Sequence, residues 1–248
     1  MCSSDLMRSQ SISSVTRSSE FISSSLISGR VAILPEHSST RLASVNRRQF
    51  LKLGGGITLA SLFSQSAQAA TADISHGPRT SKNIALTFHG AGPISNAEAL
   101  LSIFKSTHTP ISVFAIGTWL RENPQIAKKI IDDGHVLGNH TMHHYEMKKL
   151  SASKVKTEIN GCASILKKQI GNHGAFFRPS GTQYSNATIR KGAAAAGYGQ
   201  CISYDVDSHD YQDPGKAAVI NNVMKNIQHG SIISLHFGHQ NTVDAMPA

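Results

Sequence analysis

From Asn83 onward, short apolar runs alternate with segments whose apolar residues recur at helical spacing, whereas the first 45 residues show no sustained period. The runs at 83–88, 111–116, 136–137, 175–177, 200–204 and 231–235 predict strands. Helices with readable ends lie between them. Asn96 is placed to cap 97–105, and Asn123 with Pro124 opens a helix that Gly134 closes. Ser151 starts a long helix reaching Ile170, with Gly171 at its end. A further helix over 187–196 stops at Gly197, and Asp213 with Pro214 opens the last, ending near His229-Gly230. This alternation predicts an α/β fold with a parallel sheet joined by right-handed crossovers. No Gly-rich phosphate fingerprint follows the first strand, which disfavours a dinucleotide fold. A (β/α) barrel is the architecture expected, and in such barrels reactive residues gather at the C-terminal ends of strands.

That rule selects a set of residues from separate segments. Just past the strand ends stand His89, His140 with His144, Arg178, Asp207 with Asp210, and His236. A barrel would bring them to one rim.

The N-terminal region changes the bulk picture. Residues 1–45, rich in Ser and Arg, read as a disordered or over-called extension. NRRQFLKLGGGITLASLFSQSAQAA follows, with Arg47-Arg48 ahead of Phe50-Leu51-Lys52, a weakly apolar stretch, and Ala67-Gln68-Ala69 as a small-x-small cleavage site. This predicts a twin-arginine signal at 46–69, and a mature domain over 70–248 that works outside the cytoplasmic membrane, periplasmic or extracellular. The apolar run is too short and polar for a spanning helix. Without the residues before Ala70 the formal charge of +9 falls to +5, from 17 basic against 12 acidic residues. No basic block, groove-reading motif or aromatic–basic interleaving accompanies that charge, so nucleic acid is not an expected partner. Cys2, Cys162 and Cys201 form no CxxC pair, which excludes a zinc ribbon or disulfide framework and leaves Cys162 and Cys201 as buried thiols.

In GNHTMHHYE, His140 and His144 are four apart, so a helical turn would face both imidazoles the same way. Paired imidazoles suit a zinc-like divalent ion; the alternative is a surface cluster, and His143 is read as a bystander. Arg178-Pro179 after a short strand could hold a carboxylate or oxyanion, or could be a structural arginine at the rim. Asp207 and Asp210 could cap or bind metal. His236, ending SIISLH, is placed for a general acid held by a neighbouring carboxylate, the alternative being a satisfied core histidine.

These residues, in this order, resemble the polysaccharide deacetylase family, the NodB homology domain or fourth family of carbohydrate esterases, from Asn83 to the end of the chain. GTWLRENPQIAKKIIDDGHVLGNHTMHH, 117–144, is the most specific stretch. The resemblance implies a distorted (β/α) barrel. It also implies hydrolysis of acetyl groups from sugars by a divalent metal, most simply zinc, together with an aspartate base, a histidine acid and a backbone N–H at the oxyanion. Carried over by position, His140 and His144 match metal ligands, and Arg178 the arginine that orients the base. Asp210 matches the aspartate that tunes the acid, His236 the acid, and Tyr211 a site-wall tryptophan. The family's TFDDG here reads TFHGA: His89 takes the place of the base and Gly90 that of a carboxylate ligand. RPPYG reads RPSGT, so the backbone donor falls near Gly181, and Ser234 replaces an apolar lining residue. The family pattern extends past Ala248, so the last helix and strand are expected to be lacking.

Two functions are therefore expected in competition. One is a metal-dependent hydrolase acting on non-peptide carbon–nitrogen bonds of an acetylated envelope or extracellular polysaccharide, with His89 as metal ligand or as base. The other is a catalytically inactive carbohydrate-binding relative.

Overall fold

The computed structural model describes residues 72–248. The predicted extension and signal segment, 1–45 and 46–69, lie outside the described residues. Among those described, five parallel strands form one sheet: β1 (Ala85–Gly90), β2 (Ser112–Ala115), β3 (Val136–Asn139), β4 (Val206–Asp207) and β5 (Ile232–His236), in the order β3-β2-β1-β5-β4. Helices α1 (Ile94–Ser106), α2 (Gly117–Glu122), α3 (Pro124–Asp132), α4 (Ala152–Ile170), α5 (Ala187–Ala195), α6 (Lys216–Asn226) and α7 (Gln240–Ala245) fill the connections. The expected strands at 175–177 and 200–204 are reduced to single bridges. Phe177 pairs with Asn139 and with Cys201, and Ile202 pairs with Ile74. The five-stranded sheet is open, and these bridges carry its edge onward as an irregular, barrel-like wall.

Alternation along β1 decides which side chains do chemistry and which make the core. Phe88 is buried among Phe104 of α1 and Phe237 beyond β5, at ring separations of 5.3 and 5.2 Å. Thr87 and His89 take the opposite face. The Thr87 hydroxyl donates to the Ile233 carbonyl at 2.6 Å, so the polar face is tied to the neighbouring strand. α1 closes the apolar face because Ala97, Leu100, Leu101 and Phe104 recur at helical spacing and are all buried. Truncating one of them, such as Leu101→Ala, removes packing worth about 2–5 kcal/mol. A second core, containing Val155, Ile159, Phe177, Ile189 and Tyr198, holds α4 and α5 under the bridged side.

α4 begins and ends as its sequence predicts. The Ser151 side chain accepts from the Lys154 N–H, and Gly171 ends the helix at φ 80°, where a Cβ would be strained. Two predicted caps are corrected. Asn96 lies inside α1, which starts two residues earlier behind Pro93. Asp213 does not cap α6; Gly215 precedes that helix, and the Asp213 carboxylate instead accepts from His239 and Asn241. β4, α2 and α7 were not predicted, each being six residues or fewer and too short for a period to register. Cys162 and Cys201 are buried free thiols, as expected, and burial pushes them up to about 12 and about 11.

Candidate functional site

The strand ends bring four histidines into one row. β1 and β5 are in register with His89 opposite His236, and β3 delivers His140. Ring centroids are 4.3 Å apart for His89–His236, 4.4 Å for His89–His140 and 5.0 Å for His140–His144. The expected helical turn between His140 and His144 is not present. A loop joins them, with Thr141 and His144 at φ 68° and 60°, and this left-handed path turns the His144 ring back onto His140. Spacing identified the pair; the geometry that unites it is a strained loop.

His140 is the best defined of the set. Its Nδ1 lies 2.9 Å from the Arg178 carbonyl, which can only accept, so Nδ1 carries the proton and Nε2 presents a lone pair. Nε2 is buried and has no hydrogen-bond partner in the described residues. Ligand nitrogens of His89, His140 and His144 all lie within 4.8 Å of one another. Burial, followed by the neighbouring imidazoles, pushes His89 and His140 well below the ordinary histidine value, and burial lowers His144 too. All three are thus neutral nitrogen donors near pH 7. A buried, partnerless ring nitrogen within a triad of neutral imidazoles fits a zinc-like ion and does not fit an oxygen-preferring one.

The vacancy beside His89 is closed. A Cβ on Gly90 would lie 2.9 Å from the Ala115 Cβ and 3.0 Å from the Val113 Cγ1. β2 packs directly against this position, and a carboxylate side chain there would require it to shift. His89 Nε2 also stands 3.5 Å from the hydroxyl of buried Ser234.

Opposite the triad, His236 and Asp210 form a dyad. Asp210 Oδ1 accepts from His236 Nδ1 at 2.7 Å, leaving Nε2 as the outward nitrogen. Its Oδ2 accepts the His236 backbone N–H at 2.7 Å and the Thr242 hydroxyl at 2.6 Å. Burial opposes ionisation of Asp210, but the bonds from His236 and Thr242 outweigh it and hold the carboxyl below its ordinary value. Tyr211, half exposed, lies with its ring 5.3 Å from that of His236, where a wall residue is expected. The Asp207 carboxylate accepts the His209 N–H at 2.9 Å, and its charge acts on Arg178.

Arg178 lies against the row, its charge among those acting on His89 and His140. Its side chain is buried, donating to the carbonyls of Ile202 and Ser203 and lying over the Phe114 ring at 4.2 Å. Nη1 has no hydrogen-bond partner in the described residues, and burial pushes the guanidinium down to about 9. It contributes its backbone carbonyl to His140. Gly181 is left-handed at φ 63°, and a Cβ there would come within 2.8 Å of the Glu146 backbone, so glycine suits this turn. Sequence reasoning missed Thr242 and Glu158, whereas His143 is not among the converging imidazoles. The His143 N–H and ring Nδ1 both meet the Glu158 carboxylate, at 2.8 and 2.9 Å. No local pattern in the sequence marks that contact, since it joins two elements 15 residues apart.

A sequence model described as polysaccharide deacetylase matches residues 76–201, just over half of the chain. A peptidoglycan-N-acetylglucosamine deacetylase of Bacillus cereus is 31% identical over 162 residues, covering 65% of this chain and 75% of that protein. A solved CE4 family pseudoenzyme from Bacillus anthracis superposes with a TM-score of 0.67 at 25% identity, over 71% of this chain and 61% of that one. A mutant of that pseudoenzyme, described as having restored enzymatic activity, matches with a TM-score of 0.67 at 26% identity, over 71% of this chain and 63% of that one. The chain therefore spans less than two thirds of these structural neighbours.

Proposed function

This chain belongs to the polysaccharide deacetylase family, and we propose that it is a metal-dependent hydrolase that removes acetyl groups from an envelope or extracellular polysaccharide, using a metal site rebuilt around three histidines. The observation that carries the reading is His140. Its proton is fixed on Nδ1 by the Arg178 carbonyl, and its Nε2 is buried without a partner among converging imidazoles. A zinc ion held by His89, His140 and His144 would supply Lewis-acid polarisation of the acetyl carbonyl.

The protein's own residues provide the rest. His236, fixed through Nδ1 by Asp210, presents Nε2 to the row and is the group able to protonate a leaving sugar nitrogen. The half-exposed Tyr211 ring beside it offers an amphipathic face to a pyranose. Gly181 leaves its turn unobstructed by a side chain. His89 serves as the third ligand in this reading; the same nitrogen cannot also act as base.

A second reading, a non-catalytic carbohydrate-binding relative, has support of its own. The ligand triad contains no carboxylate, Arg178 Nη1 has no partner in the described residues, and one structural neighbour is a pseudoenzyme. Acetate release from acetylated chito-oligosaccharide and from peptidoglycan by the zinc-loaded protein, beside His140→Ala, separates the two. Release abolished in the variant supports the hydrolase, and binding of either glycan without release supports the second reading. No described helix is long and apolar enough to cross a membrane.

A further inference from the structure

We propose that Glu158 is a positioning residue for the metal-binding loop, holding the His143–His144 segment in the conformation that turns His144 onto His140. The inference rests on the reading of His140 and His144 as metal ligands.

Glu158 lies on α4 with 0% exposure. A carboxylate removed from water requires compensating partners, and its principal ones lie on a single residue of another element. Oε2 accepts the His143 backbone N–H at 2.8 Å and Oε1 meets His143 Nδ1 at 2.9 Å, while Lys154 approaches Oε1 only at 3.6 Å. The bonded peptide is one residue before His144, a candidate ligand at φ 60°. Thr141, one residue after His140, is also left-handed. Non-glycine residues in that region cost on the order of 1 kcal/mol each, and they persist where the surroundings over-determine them.

The rest of the loop is fixed by other elements. The Thr141 and Met142 carbonyls accept from Gly117 and Thr118 N–H groups at 2.9 and 3.0 Å. The Thr141 N–H donates to the Asn139 side chain at 2.8 Å, and the Ser180 hydroxyl donates to the Tyr145 carbonyl at 2.7 Å. Between these anchors, the His143 N–H is held by the buried carboxylate. The His144 N–H reaches the Thr141 hydroxyl at a long 3.3 Å, so loosening the peptide before it spreads the ligand set.

The test is zinc affinity, measured by competition with a chelating dye, together with thermal unfolding of the metal-free protein. Glu158→Ala is expected to weaken zinc binding by up to about 100-fold, the scale seen for outer partners of metal ligands. Glu158→Gln keeps the shape and one acceptor for the His143 N–H. It is expected to lose roughly tenfold, and it carries the test if the alanine variant does not fold. Leu166→Ala, a buried core truncation on the same helix, is expected to lower the melting temperature while leaving zinc affinity at the parent value. Parent-like affinity in the folded Glu158 variants overturns the inference, as does an equal loss in Leu166→Ala. A parent that binds no zinc overturns both this inference and the reading beneath it.

Discussion

Asp210 meets His236 twice, once through the ring Nδ1 and once through the backbone N–H, both at 2.7 Å. One carboxylate thereby fixes the ring's tautomer and the position of the strand end that carries it. Asp210→Asn retains the volume but can present an N–H where His236 needs an acceptor. Turnover on acetylated chito-oligosaccharide is expected to fall by about 10²-fold or more, the contribution typical of a positioned acid. Glycan affinity should change little, because in the proposed reading His236 serves the leaving group rather than the grip on the glycan. Undiminished turnover in this variant would remove His236 from the acid role.

Gly90 is not an empty socket awaiting a carboxylate. Its missing Cβ would come within 2.9 Å of Ala115, so Gly90→Asp must displace β2. Overpacking of this kind costs about 1–3 kcal/mol. The variant is expected to melt at lower temperature than the parent, with no gain in zinc affinity. Tighter zinc binding at an unchanged melting temperature would show that the site accommodates a carboxylate at this position.

His135 sets a pH dependence distant from the site. It is buried at the start of β3, neither ring nitrogen has a hydrogen-bond partner in the described residues, and burial lowers it from 6.5 despite the opposing charge of Asp133. Well above pH 6.5 the ring is neutral whether folded or unfolded, and it contributes no slope. Below that, the unfolded chain takes up a proton that the fold resists, so stability falls as pH falls, by at most about 1.4 kcal/mol per pH unit for one proton. His135→Leu should lose less stability than the parent between pH 7 and pH 5 in urea titrations. Equal losses would mean that the ring is readily protonated in place.

How much of this was legible beforehand depended on range. Ser151 and Gly171 marked α4 correctly because a cap is a local contact, readable from one or two residues. His140, His144 and His236 were legible because strands deliver side chains to a common rim. The loop that unites the first two was not, since left-handed Thr141 and His144 depend on contacts from α2, α4 and Ser180. His89 was legible by the same rule, and the resembling motif added only which group it replaces. The partners of the Arg178 side chain were not legible either: they are carbonyls of the 202–203 segment, which no pattern near Arg178 announces.

Export is a separate proposal, resting on Arg47-Arg48 and the Ala67-Gln68-Ala69 site. Replacing both arginines by lysine in the full chain is expected to retain the protein in the cytoplasm, followed by fractionation. Undiminished export of that variant would exclude the twin-arginine route.

The central claim is that three histidines, including the unexpected His89, hold one metal ion. Elemental analysis of zinc-loaded parent, His89→Ala and His140→Ala, after dialysis and with thermal unfolding as a control for folding, tests it most directly. The account predicts one zinc per parent chain, loss of bound zinc in both variants, and metal-free melting temperatures near that of the parent for His89→Ala. Full zinc occupancy in folded His89→Ala would contradict the rebuilt site and return His89 to the role of base or bystander.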